Sequence, residues 1–250
     1  MIQPGNQKLG PGIWGWSILA GDTCPGASGP CTEDCYAMKN RFLSETVIAS
    51  HTRNWRFSEL DGFAKRMCEM IARKRSLKTL RVHVAGDFYD PIYTEKWIDI
   101  VIQNRQTDFY AYTRSWRIED IYPSLLWLAA EPNFQMWFSC DMATGRPPVV
   151  PGVYHAYMAV SDFDVPDYPV DLVFRVNRKT VMKWDDANNL VCPVENGVTK
   201  TDCSRCGLCW SNCRLPKRSE EHDDTERAGR RNPLGQIGNL VELQLSGEYK

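Results

Sequence analysis

The chain has 250 residues, a formal net charge of −1, 43% hydrophobic residues and ten cysteines. That length admits one large α/β domain or two smaller ones, and the balanced charge gives the molecule no overall pull toward nucleic acid or an anionic membrane. The N-terminus Met1-Ile2-Gln3-Pro4-Gly5 shows no signal-peptide pattern and no apolar run reaches membrane-spanning length, so the sequence reads as a cytoplasmic protein without membrane contact, where cysteines do not serve as a disulfide framework.

In chain order, the apolar run over 13–19 predicts a first strand, and a loop bearing Cys24, Cys31 and Cys35 follows its C-terminal end. A helix is expected to begin near Cys35 and to resume over 45–55, where Val47, Ile48, His51 and Trp55 recur at helical intervals; a second helix over 59–73 would bury Leu60, Phe63, Ala64, Met67 and Ile71. Cys68 lies beside that face and reads as packing rather than as a ligand. Strands are then expected over 80–86, 109–113, 134–139, 154–160 and 172–176, with helices over 93–103 and 118–129 between the first of them. Pro147, Pro148 and Pro151 argue for an extended connection between 141 and 153.

Strands alternating with helices imply parallel βαβ units, and six of them suit a partial (β/α)6 TIM-like barrel, with a doubly wound sheet as the other arrangement. The expected division is a barrel over 1–188 and a cysteine-rich module with a tail over 189–250. A polar segment over 219–232 reads as a solvated loop, with a basic contact through Arg227, Arg230 and Arg231 as the alternative, and the alternation over 240–245 as an added edge strand. In either architecture the working face lies at the C-terminal ends of the strands. Gly86-Asp87, Arg114, Asp141 and Arg175 all fall near such ends, where Arg114, Asp141 and Arg175 could clamp an anionic cofactor or substrate. His83 and His155 are mid-strand and read as satisfied buried histidines, while Tyr112 and Trp137 read as core.

The cysteines carry the chemistry. Cys24, Cys31 and Cys35 are separated by six and three residues, with Pro25, Gly26, Ser28, Gly29 and Pro30 stiffening the first gap. If a helix starts near Thr32, Cys31 and Cys35 share a face. Three thiolates suit an iron–sulfur cluster with one open iron, the alternatives being a structural zinc or free thiols. Downstream, Cys203-x2-Cys206-x2-Cys209-x3-Cys213 has the spacing of a bacterial ferredoxin run, with Arg214 where proline is usual; a zinc ribbon is the alternative.

These motifs support a resemblance. The cysteine loop after the first strand and Gly86-Asp87 after the second resemble the radical S-adenosylmethionine architecture. The wider pattern is similar to the phage gene-product-88 family. It comprises Cys24-Pro25, Cys31, Cys35-Tyr36-Ala37, the stretch ending Ala85-Gly86-Asp87-Phe88, Tyr110 to Ser115, Cys192-Pro193 and Cys203 to Trp210. The resemblance implies a [4Fe-4S] cluster on Cys24, Cys31 and Cys35 whose open iron chelates S-adenosylmethionine, with Gly86, Asp87, Tyr36, Arg114 and Asp141 around that cofactor. It implies a second [4Fe-4S] cluster on Cys192, Cys203, Cys206 and Cys209, leaving Cys213 spare. The spacing here is C-x6-C-x3-C rather than the usual C-x3-C-x2-C, and the aromatic residue Tyr36 follows the last cysteine instead of preceding it.

The expected function is reductive cleavage of S-adenosylmethionine to a 5′-deoxyadenosyl radical that acts on an unidentified substrate, with a nucleotide or nucleic acid as one candidate. A reductant such as ferredoxin or flavodoxin would supply the electron. The alternatives are a non-catalytic or redox-sensing phage iron–sulfur protein that binds nucleic acid or a protein partner, and a zinc-stabilised binding module.

Overall fold

The computed structural model describes residues 1–161, 163–176, 191–196 and 201–211. The segments expected over 219–232 and 240–245, and Cys213, lie outside the described residues. Seven strands form one sheet in chain order: β1 (Gln3–Pro4), β2 (Ile13–Gly15), β3 (Thr79–Val82), β4 (Asp108–Thr113), β5 (Phe134–Cys140), β6 (Tyr154–Ala159) and β7 (Leu172–Arg175). β1 pairs antiparallel with β2, and every later pairing is parallel. The order never reverses, so the doubly wound alternative, whose ligand crevice depends on such a reversal, does not apply.

Three helices, α1 (Gly29–Asp34), α2 (Glu45–Glu59) and α3 (Phe63–Ala72), lie between β2 and β3; α4 (Pro91–Gln103) and α5 (Tyr122–Ala129) fill the next two crossovers. Among the described residues the β5–β6 and β6–β7 crossovers contain no helix. The helical repeat expected of a (β/α)6 barrel therefore stops halfway, where Pro147, Pro148 and Pro151 hold the chain extended. What the chain forms is a mixed α/β fold on a mostly parallel sheet.

Several boundaries differ from expectation for local reasons. The first strand ends at Gly15 rather than at residue 19. β3 stops at Val82 because His83 takes φ 61°, a left-handed conformation that no strand continues through. α1 begins at Gly29, not near Thr32 or Cys35: Ser28 is its N-cap, accepting from Cys31 N, and Pro30 sits in the first turn, where a missing N–H costs nothing. α4 starts in the same way, with Asp90 Oδ1 accepting from Tyr93 N at 2.8 Å and Pro91 in the first turn. In α2 the fully buried positions are Asn54 and Ser58 rather than the apolar stripe through Ile48, and Leu60 lies beyond the helix and is exposed. Asn54 donates to Ser17 O at 2.8 Å, which ties α2 to the chain leaving β2.

The sheet separates two apolar layers by strand alternation. Leu80 and Val82, Phe109 and Ala111, and Phe134, Met136 and Phe138 point to the helices and join one core with Phe63, Met67, Trp97 and Leu125. Tyr110, Trp137, Ala156 and Leu172 point the other way, toward the cysteine-bearing segment with α6 (Pro193–Asn196) and α7 (Cys203–Cys206). Both faces are covered, as a parallel sheet requires. Among the described residues no helix is long and apolar enough to cross a membrane.

Phe63 is fully buried, with its ring 5.6 Å from Trp16, 5.3 Å from Phe57, 5.8 Å from Tyr93 and 5.9 Å from Trp97. Replacing it with alanine empties the centre of that aromatic group, so Phe63→Ala should lower stability by about 3–5 kcal/mol. Urea unfolding followed by tryptophan fluorescence measures this directly, and a loss below about 1 kcal/mol would mean the helical layer is not packed as described.

Candidate functional site

The loop after β2 is fixed to the ends of β3 and β4 by backbone contacts. Asp87 N donates to Thr23 O at 3.0 Å, and Thr23, fully buried, donates through its hydroxyl to Leu19 O at 2.6 Å. Arg117 Nη1 donates to Gly26 O at 3.0 Å. Gly26 lies so close to β4 that a Cβ there would stand 2.1 Å from Arg114 O, so no larger residue fits. Gly86 has φ +84°, and a Cβ on it would meet Ile18 Cγ1 at 2.3 Å and Thr23 Oγ1 at 2.7 Å. Gly86 is therefore what lets the β3 end pass under the cysteine loop.

This packing brings Cys24, Cys31 and Cys35 together, within electrostatic reach of one another and of Asp87, Arg114 and Asp141. Cys31 sits in the first turn of α1 and Cys35 is the residue that ends it. Burial, reinforced by the Asp87 carboxylate, pushes the Cys24 thiol up to about 12; burial also pushes Cys31 up, against the Arg114 guanidinium. Thiols held this way keep their protons at neutral pH.

The charged residues predicted for the site are held by one another. Arg114 Nη1 donates to Asp141 Oδ2 at 2.7 Å, and both side chains are buried. Asp141 also accepts from Ser28 Oγ, from Ala143 N at 2.9 Å and from Thr144 N at 3.1 Å. Ser28 in turn caps α1, so the ion pair reaches the Cys31 backbone through a single hydroxyl. Asp87 accepts from Phe88 N at 2.7 Å on one oxygen and from Arg114 N at 2.8 Å on the other; burial raises its carboxyl to about 6. Tyr36 lies half exposed, donates to Val84 O and receives Arg81 Nη2 at 3.3 Å. Arg175 is buried at the end of β7.

The second cysteine group lies at the other end of the sheet's inner face. Cys203 N donates to Lys8 O at 2.8 Å and Ser204 N to Leu9 O at 2.9 Å, joining α7 to the N-terminal segment, and the Lys8–Glu195 ion pair joins α6 to it. Cys192 N donates to Val173 O at 2.9 Å on β7. Cys192, Cys203, Cys206 and Cys209 line one small pocket, closed by Leu172, Val194 and Leu208. Trp137 Nε1 donates to Cys209 O at 2.9 Å and Tyr112 OH to Cys209 Sγ at 2.8 Å. Burial pushes the Cys192 thiol up to about 11 and Cys209 to about 12.

The remaining cysteines stand apart. Cys68 accepts from Asn104 Nδ2 at 3.2 Å and packs on the helical core, and Cys140 is buried at the end of β5. No described cysteine is in a disulfide. Among the described residues no three His, Cys, Asp or Glu side chains converge on a single-ion position. His83 Nε2 pairs with Tyr93 OH at 2.8 Å and His155 Nε2 with Pro148 O at 3.1 Å, so neither belongs to a cysteine group.

Two functional contacts were not predicted. Tyr112, read as core, donates to a cysteine sulfur. Arg81 sits between the two groups, its guanidinium 5.5 Å from the Tyr112 ring centroid. A charged residue alternating with Leu80 and Val82 was the available sign that β3 has a polar inner side.

Removing the Arg114 charge would leave Asp141 buried without its partner. Arg114→Met should therefore destabilise the protein by about 3–5 kcal/mol, while Asp141→Asn in the same background should recover part of the loss. Thermal unfolding of the single and double variants tests this; additive losses would show that the pair is not coupled.

The chain was compared with known proteins. It is 25% identical over 204 residues to the Gene 88 protein of Mycobacterium phage L5, covering 76% of this chain and 78% of that one. It is 27% identical over 207 residues to the Gene 88 protein of Mycobacterium phage D29, with the same coverage. No solved structure matches it. The family model described as Gene product 88 matches residues 2–212, a span that includes both cysteine groups and every described strand. The chain belongs to the gene product 88 family.

Proposed function

We propose that this protein is an iron–sulfur enzyme of the radical S-adenosylmethionine type, with one cluster on Cys24, Cys31 and Cys35 and a second on Cys192, Cys203, Cys206 and Cys209. The observation that carries the reading is the gathering of three thiols by one rigid loop at the C-terminal ends of six sequential parallel strands. The four-cysteine pocket at the opposite end of the same inner face supports it. Sequential parallel order is also the strand order of a partial barrel, and the cysteine loop stands at its ligand-binding end.

The donor set fits such groups. Every protein ligand in both sets is a soft thiol. The thiolates of a cubane each bind a different iron. A three-thiolate cluster supplies, when bound, an electron to a molecule held on its open iron.

The chain's own residues then have definite tasks. Asp87, ionised above about pH 6, already accepts from Phe88 N, Arg114 N and the Thr113 side chain, and would act on the ammonium of an amino-acid cofactor such as S-adenosylmethionine as a counter-charge. Gly86, packed against Ile18 and Thr23, holds the β3 end and hence Asp87 under the cysteine loop. Arg114 and Asp141, occupied with each other and with Ser28, position Cys31 rather than bind ligand directly. Tyr36 closes the loop on Val84. A ferredoxin- or flavodoxin-like reductant would supply the electron.

Anaerobically prepared protein should contain iron and acid-labile sulfide. Cys31→Ala should lose about half of the iron and Cys206→Ala the other half, because the ligand sets do not overlap. Protein carrying zinc in place of iron would overturn the proposal.

A further inference from the structure

The inner face of the sheet is divided. Tyr110, Trp137, Ala156 and Leu172 lie buried under the cysteine-bearing segment, whereas Arg81, Tyr112, Ser139, Met158 and Phe174, nearer the C-terminal ends of their strands, remain only partly buried. Arg81 lies among these part-buried side chains, bonded to Tyr36, the neighbour of Cys35, and within electrostatic reach of Cys209.

Arg81 is short of partners there. A guanidinium has five N–H donors and stays charged at any physiological pH. Its Nη2 reaches Tyr36 OH at 3.3 Å, its plane faces the Tyr112 ring, and its Nε is buried with no acceptor. Among the described residues it makes no ion pair, whereas Arg114, at the end of β4, has Asp141. The Cys203 and Cys209 sulfurs lie within electrostatic reach of it, but no carboxylate pairs with it among the described residues, so an outside anion would supply the acceptor its Nε lacks. Tyr112 and Phe174, with ring centroids 5.3 Å apart, supply an apolar wall beside it.

We infer that Arg81 anchors a binding site for the carboxylate or phosphate of a small anionic ligand whose apolar or planar part lies against Tyr112 and Phe174. Arg81 touches the first cysteine loop through Tyr36, the residue after Cys35, so the ligand is assigned as the substrate of the enzyme proposed above. That assignment rests on the proposed function; the anion binding does not require iron.

Full-length protein, with its iron content measured, is titrated calorimetrically with inorganic phosphate and separately with succinate, at matched ionic strength. One of the two should bind saturably, and which one does identifies the group as phosphate or carboxylate. Arg81→Gln should weaken that binding by about tenfold or more, and Arg81→Lys by less, because lysine keeps the charge but not the fork. Should Arg81→Gln fail to fold, Arg81→Lys decides. Three results would overturn the inference: neither anion binds the wild type, binding is unchanged in the folded variants, or Arg81→Gln loses iron from the Cys192 group without altering anion affinity. That last result would make Arg81 the counter-charge of thiolates instead. Phosphate or succinate bound through Arg81 by protein that takes up no iron would leave this site standing and remove the iron–sulfur reading.

Discussion

The Arg114–Asp141 pair is the constraint on which the cysteine loop depends. Two charges taken out of water are tolerated only when their remaining donors and acceptors are satisfied. Asp141 meets this with four contacts, from Arg114, Ser28 and two backbone amides of its own turn. Those partners come from the end of β4, the start of α1 and the turn after β5. A buried polar network therefore sets the relative position of three segments that share little apolar surface, and Cys31 inherits its place from the Ser28 cap. Gly26 against the Arg114 carbonyl and Gly86 beneath Thr23 complete the fit, since a side chain at either position would lift the loop off the strand ends.

The same sheet serves two purposes through its alternation. Its outer side is an ordinary aromatic and aliphatic core, dense with edge-to-face rings around Phe63, Tyr93 and Trp97. Its inner side has one end covered by α6, α7 and the Cys203–Cys209 run, while at the other end Arg81, Tyr112 and Phe174 are only partly buried. Tyr112 links the two ends: its ring faces Arg81 and its hydroxyl reaches Cys209. Under the proposed function, that hydroxyl would be one of the hydrogen bonds that tune the second centre.

Much of this was legible in the residues. The strands with alternating or continuous apolar character appear near their expected positions, because periodicity reflects burial directly. The two cysteine groups stood out by spacing, and the structure brings each set into one neighbourhood. What periodicity does not carry is the local chemistry of ends. The early start of α1 depends on the Ser28-Gly29-Pro30 cap, the truncation of β3 on a left-handed His83, and the antiparallel β1 on a two-residue pairing with β2. The half-finished helical layer follows from prolines that mark an extended path without saying that no helix replaces it. Arg114 and Asp141 were visible as charges at strand ends, but that they satisfy each other is a three-dimensional fact, as is the lack of a carboxylate partner for Arg81 among the described residues.

The most direct test of the account is electron paramagnetic resonance of the anaerobic, dithionite-reduced protein, recorded with and without S-adenosylmethionine. Two reduced iron–sulfur signals, one of them shifted by S-adenosylmethionine and absent in a variant lacking Cys31, are the predicted result. Two signals that do not respond to S-adenosylmethionine would contradict the radical-enzyme reading and leave a redox or structural iron–sulfur protein in its place.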